Sequence, residues 1–395
     1  MSRKSNLKLE LVRHILRAGK STRPELVAVT GSRAATVFEV IDELKDSGVI
    51  IEPDRVGVKT GRKAPLLSCN PDYCRCVGID FQLKKTLAVV TDTSGNILHR
   101  CEIPSEGRRT LEDSRREISE AMRFLKIASG VQWQHVRGVG FADPGMVDID
   151  KGISIRAISV PGWEKLDTAN WFRHYFNLPA GVWPEEMVKT HMEYTTRIAN
   201  PPKSIFHLGM DGGIGGGFIS DGNLFIGSSY QGMEIGHVVI QPDGPVCQCG
   251  NRGCLEALAG YAGILHRIRD ARSEGVDTNL DIDNFSVKQF VECAKYDKAA
   301  RIIANEVCDS IGTALAVVVA LLNPELIVLS GELTNLGQPL LDAIWRQLGF
   351  NCFNDAVKNL KIEISSLDPF DTARGAAIMM RDRIMLDSLE DSYLQ

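Results

Sequence analysis

The stretch EIGHVVIQPDGPVCQCGNRGCLE, residues 234–256, decides how the rest of the chain is read. It gathers His237, Cys247, Cys249 and Cys254 into one short segment. Three thiolates and an imidazole form a tetrahedral Zn²⁺ ligand set, and four protein ligands leave no open coordination position. The cofactor expected here is therefore a structural Zn²⁺ with no catalytic duty. Gly250 and Gly253 let the loop wrap one ion without a Cβ penalty. The competing reading, free cysteines beside a core histidine, leaves the tight mixed Cys/His spacing unexplained.

Around this loop runs a chain of 395 residues, too long for one ordinary domain. Its 44% hydrophobic content supports large cores. No apolar stretch follows the start, so no secretory signal is expected, and ten cysteines then imply a reducing cytoplasm. The longest apolar run, Ala314 to Leu322, is too short for a bilayer, so no membrane partner is expected. Cys69, Cys74 and Cys76 read as ordinary packing, because no histidine or fourth cysteine accompanies them. Residues 1–70 hold 13 Lys+Arg against 8 Asp+Glu, a charge of +5, and the remainder carries −10. A basic head on an acidic body suggests that only the head meets a polyanion.

The head reads as three helices. Asn6 to Ala18 carries Leu7, Leu11, Ile15 and Leu16 on one stripe, and Gly19 stops it. Thr22-Arg23-Pro24-Glu25 is a capping box for the short helix Leu26–Val29. After the Thr30-Gly31 turn, a third helix runs from Ser32 or Arg33 to Asp46 with Val37, Val40, Ile41 and Leu44 buried. A tight glycine turn between the second and third helices makes a helix-turn-helix. Its third helix would enter the major groove of a double-stranded DNA operator, offering Arg33, Ala35, Thr36 and Glu39. Val49–Glu52 and Leu66–Ser68 read as strands of a wing, with Lys59, Arg62 and Lys63 at a basic tip for backbone or minor groove. The competing reading is a three-helix protein-interaction module.

The body reads as two similar βββα halves. Cys76–Asp80, Thr86–Asp92 and Ile97–Ile103 precede a helix at 111–128 and the strand Val136–Phe141. A second meander starts at Ser204, turns at Asp221-Gly222, continues through NLFIG, and is followed by long helices and the buried strand Leu326–Leu329. Two such lobes imply a ligand-binding crevice.

On these strings the chain resembles the ROK family (repressors, open reading frames and kinases). They are GRKAPLL at 61–67, VPGWEKL at 160–166, GGIGGGFISDG at 212–222, EIGHVVI, CQCGNRGCLEALAG at 247–260, and LNPELIVLSG at 322–331. The resemblance spans about residues 6 to 381. It implies an α/β fold: an N-terminal winged helix-turn-helix followed by a two-lobed, actin-like (ribonuclease H-like) sugar-kinase body. The expected boundaries are 1–70 for the head, 71–190 for the first lobe and 191–395 for the second, with the final helix able to return to the first.

The resemblance also states what a kinase in this family needs. An Asp-x-Gly-Gly-Thr loop lets backbone N–H groups approach ATP phosphates. Here the string is Asp80-Phe81-Gln82-Leu83, with both glycine positions bulky. In the second glycine-rich string, Gly212 stands where the family has a phosphate-binding threonine, and the run Gly212–Gly217 reads as backbone packing. The family's Asn-Asp pair, whose aspartate is the base, corresponds to Pro184-Glu185. The expectation is no kinase activity. By the same resemblance, Glu185, Glu234, His237 and Glu256 would line the effector site, with His237 also on zinc.

The expected function is a DNA-binding regulator of carbohydrate-metabolism genes, most simply a repressor. A sugar or sugar derivative would be its effector, with a protein partner as the alternative. A homodimer or dimer of dimers would match two operator half-sites. The rival is an ATP-dependent sugar kinase carrying an accessory head.

Overall fold

The computed structural model describes residues 3–52, 65–82, 84–105, 110–158, 160–197 and 200–391. Lys59, Arg62 and Lys63 of the expected wing tip, and Leu83, lie outside the described residues. The contacts divide the chain into two units: residues 1–185 with 369–395, and residues 186–368.

The head belongs to the first unit. Its helices are Arg3–Ala18, Arg23–Thr30 and Ala34–Asp46. Thr22 Oγ1 accepts from the Glu25 N–H at 3.4 Å while the Thr22 N–H donates to the Glu25 carboxylate at 2.7 Å, so two orphan donors are satisfied reciprocally. Gly31, at φ 59°, ends the second helix, and its N–H bonds to the Val27 carbonyl. Leu7, Leu11, Ile15, Leu26, Val37, Val40, Ile41 and Leu44 form the buried interior. Ser21–Thr22, Leu66–Cys69 and Ile50–Ile51 form a small antiparallel sheet with Leu66–Cys69 in the middle. The strand expected at Val49–Glu52 shortens to two residues, and Glu52 turns to ion pairs with Lys45 at 2.9 Å and Arg23 at 3.7 Å.

The rest of the first unit is built on a five-stranded sheet, with a small three-stranded sheet of Met146–Asp148, Ile153–Arg156 and Glu164–Leu166 and the helices Leu111–Ser129 and Thr168–Phe176. Ala180–Pro184, Val136–Asp143 and Arg75–Phe81 run parallel, and Lys85–Thr91 and Ile97–Pro104 extend the sheet antiparallel. The helix Asp371–Asp391 lies on it because two strand glycines admit it. A Cβ on Gly78 would meet the Ala373 carbonyl oxygen at 1.8 Å, and one on Gly140 the Ala376 oxygen at 1.9 Å. Ala373, Ala376 and Ala377 are all buried at this seam.

The second unit repeats the topology. Ser204–Met210 is central, with Ile214–Ser220 and Asn223–Leu224 antiparallel on one side and Leu326–Ser330 and Lys361–Ile364 parallel on the other. Read by chain order, both sheets have the spatial order 3-2-1-4-5. The helix Lys298–Leu322 is long and apolar enough to cross a membrane, but 61% of its apolar window is buried in this unit's core. The strand expected through NLFIG is only Asn223–Leu224. The sequence reading passed over Ala180–Pro184 and Lys361–Ile364, one short and the other an edge strand with little burial.

Candidate functional site

The loop of the second unit brings its four soft ligands together. The ligand atoms of His237, Cys247, Cys249 and Cys254 all lie within 4.8 Å of one another. Cys249 and Cys254 Sγ are 3.7 Å apart, and Cys247 Sγ is 3.6 Å from His237 Nδ1. A tetrahedron with Zn–S bonds of about 2.3 Å has edges of about 3.8 Å, so these separations fit a single metal ion. The backbone enforces the arrangement. The Cys247 N–H bonds to the Asn251 carbonyl at 2.7 Å and the Leu255 N–H to the Val238 carbonyl at 3.0 Å. Gly253, at φ 66°, has no room for a side chain, since a Cβ would lie 1.5 Å from the Gln241 carbonyl oxygen. Burial lowers the His237 pKa, favouring the neutral imidazole that ligates metals.

Two residues beyond the last cysteine, Glu256 enters the short helix Leu255–Ala259. Its carboxylate accepts from the Ile214 N–H at 2.6 Å, inside the glycine-rich string. Gly213, Gly236 and Gly260 ring this carboxylate, each with a virtual Cβ 3.0–3.4 Å from a Glu256 oxygen. Desolvation pushes Glu256 up to about 7, against the bond from Ile214. Glu234 keeps solvent contact, yet neighbouring atoms desolvate its carboxyl and raise its pKa, with a second push from the Glu186 charge. His237, Glu234 and Glu256 therefore belong to one assembly. Glu185, the fourth expected effector contact, opens the helix Glu185–Thr195 at the end of the first unit.

The remaining glycines of the string pack the second unit. A Cβ on Gly215 would meet the Glu186 side chain at 2.7 Å, and one on Gly217 would meet Thr190 Oγ1 at 2.0 Å. The sequence reading had no signal for Glu186 itself. Its carboxylate lies 3.1 Å from His207 Nδ1 and 3.1 Å from Lys189 Nζ, and His207 Nε2 lies 2.8 Å from Ser330 Oγ. Desolvation works to raise the Glu186 pKa, but Lys189 and His207 outweigh it and hold the carboxylate well below its usual range.

At the end of the strand Arg75–Phe81 in the first unit, the residues after Asp80 pack inward or bond back to it. Gln82 Nε2 donates to Asp80 Oδ2 at 2.6 Å. Phe81 is fully buried and stacks on Trp163 with centroids 5.0 Å apart and planes 13° from parallel. Trp163, from VPGWEKL, donates its Nε1–H to Asp143 at 3.0 Å. Asp143 also accepts from Ser154 and from the Gly145 N–H. Full burial still pushes it up to about 6, and the Glu185 charge adds to that push. Pro184 pairs in register with Asp143, which sets Glu185 beside this network. Asp143 is a second residue invisible to motif reading, because its partners come from three separate segments.

On the head, Arg33, Ala35, Thr36 and Glu39 are all exposed at the start of the third helix. Glu39 is engaged by Lys4 at 2.8 Å, so its expected contact in the major groove competes with an ion pair.

The family model described as ROK family matches residues 76–383. A xylose repressor of Caldicellulosiruptor bescii is 24% identical over 365 residues, covering 91% of this chain and 91% of its own length. A glucokinase of Thermotoga maritima is also 24% identical, and the match covers 98% of that enzyme but 78% of this chain. Among solved structures, a ROK family transcriptional regulator homologous to the Escherichia coli MLC protein superposes with a TM-score of 0.83 at 21% identity, covering 98% of this chain and 97% of its own. With the family model spanning most of the chain and both sheets repeating one topology, the chain belongs to the ROK family.

Proposed function

We propose that this chain is a sequence-specific DNA-binding transcriptional regulator, a repressor of carbohydrate-metabolism genes, whose kinase-like body senses a sugar or sugar derivative without phosphorylating it. The observation that carries the reading is the third head helix, whose first turns stay exposed while its opposite face is buried. A three-helix module with that exposure suits major-groove docking. The match to the xylose repressor extends through nearly the whole chain, whereas the glucokinase match leaves about a fifth of it uncovered.

The body supports sensing over catalysis. Gln82 donates to Oδ2 of Asp80 where a nucleotide grip needs glycine. Glu185 replaces a shorter carboxylate and Pro184 removes an amide. The ligand set His237, Cys247, Cys249 and Cys254 holds a structural Zn²⁺, which braces Glu234 and Glu256 to accept from sugar hydroxyls. Glu185 is the further effector contact that the family resemblance implies. Arg33, Ala35, Thr36 and Glu39 face the operator, with Lys59, Arg62 and Lys63 on its backbone. Two chains bind two half-sites as a homodimer. Effector binding acts on DNA affinity only by favouring one of two states.

The test is selection of duplexes from a random pool with the full-length protein, followed by footprinting with and without monosaccharides and their phosphates. A preferred palindromic sequence whose protection changes with one sugar is expected. Recovery of no preferred sequence overturns the reading.

A further inference from the structure

The N-terminal surface of the third head helix carries an exposed apolar strip beside the exposed polar residues Arg33, Thr36 and Glu39. Ala34 and Ala35 are exposed, and Phe38, one turn on, keeps 37% of its surface open. The acidic residues after the first turn are held in ion pairs. Arg23 holds its guanidinium 5.3 Å over the Phe38 ring while donating to Asp42 at 2.6 Å. Lys4 holds Glu39, and Lys4 and Lys8 hold Glu43. Glu39, Asp42 and Glu43 are thus paired with the head's own cations, and Ala34, Ala35 and Phe38 form an exposed apolar strip beside them.

We infer that Ala34, Ala35 and Phe38 read thymine through its 5-methyl group, so that each operator half-site carries a thymine opposite this strip. The inference rests on the DNA-binding reading above and deepens it. Alanine and phenylalanine side chains neither donate nor accept hydrogen bonds, and the thymine methyl is the one apolar feature that the major groove presents. The head's net charge of +5 brings the helix to the groove, and the strip supplies base choice. The Arg23 cation over the Phe38 ring restrains it, so the contact costs less side-chain entropy.

The experiment uses the full-length protein and a duplex selected from a random pool. Each thymine is replaced singly by deoxyuridine, which keeps every hydrogen-bonding group and removes only the methyl. At one or two positions per half-site, affinity should fall about three- to fivefold, the worth of one buried methyl. Phe38→Ala should reduce that sensitivity at one of those positions, and Phe38→Leu, larger and still apolar, should retain more of it. A selective wild-type protein that is indifferent to deoxyuridine everywhere overturns the inference. A protein that selects no sequence overturns the DNA-binding reading instead, so the two failures are distinct.

Discussion

The Glu256 carboxylate accepts a 2.6 Å hydrogen bond from the Ile214 backbone, tying the helix after the cysteine loop to the glycine-rich strand. One end of the metal loop is thereby fixed to the sheet of the second unit. The same carboxylate is ringed by three glycines, which leaves its second oxygen room to accept from a ligand hydroxyl. The Cys/His cluster, its loop and the Glu256 carboxylate form one connected assembly.

Metal binding should therefore be measurable and stabilising. Purified protein is expected to carry about one zinc per chain, and Cys247→Ser or Cys254→Ser to lose it. The loss should cost at least about 2 kcal/mol of stability, well under the ~10 kcal/mol of free zinc-finger peptides, because backbone bonds also hold this loop. Elemental analysis combined with thermal melts checks both numbers.

Ligand sensing predicts a thermal shift. A sugar that binds the native state must raise the melting temperature. Glu256→Gln keeps an acceptor for Ile214 but loses the charge, and should weaken that sugar about tenfold. A screen of monosaccharides and their phosphates that moves no melting curve sinks the small-molecule reading and leaves a protein effector.

Catalysis is expected to be absent. Incubation with ATP, Mg²⁺ and a hexose panel should give turnover far below about one per second, a modest rate for a working kinase. Phosphorylation at that rate or above would show that Gln82 does not block the nucleotide.

The Asp143 network predicts a pH dependence with a definite sign. Its native pKa is raised to about 6, so its contribution to stability is fully present below the unfolded value of 3.8 and is lost as pH rises through about 6. The difference amounts to about 3 kcal/mol for a fully buried carboxyl. Stability of wild type minus Asp143→Asn should thus fall between about pH 4 and pH 6 and level off above it. A flat difference in denaturant melts across that window would refute the assignment.

Much of the head and the metal loop was legible from the residues alone. Thr22, Glu25 and Gly31 act within one turn, and the loop ligands span a single short segment, so local chemistry names them. Glu186 was illegible for the opposite reason. Its meaning comes from His207, which is far along the chain, and from Gly215 and Gly217, whose missing side chains let its helix approach. Phe81 looked like a bulky intruder in a phosphate loop; packed on Trp163 it is a core residue.

Periodicity, capping signals and ligand spacing thus determined the head's three helices and the Cys/His cluster, because each depends on residues a few positions apart. Only the tertiary structure decided that Gln82 occupies Asp80, that Glu256 is held by Ile214, and that Phe38 stays open beside Arg23. Those outcomes depend on distance and burial between segments, and burial sets both the cost of a charge and the worth of a contact.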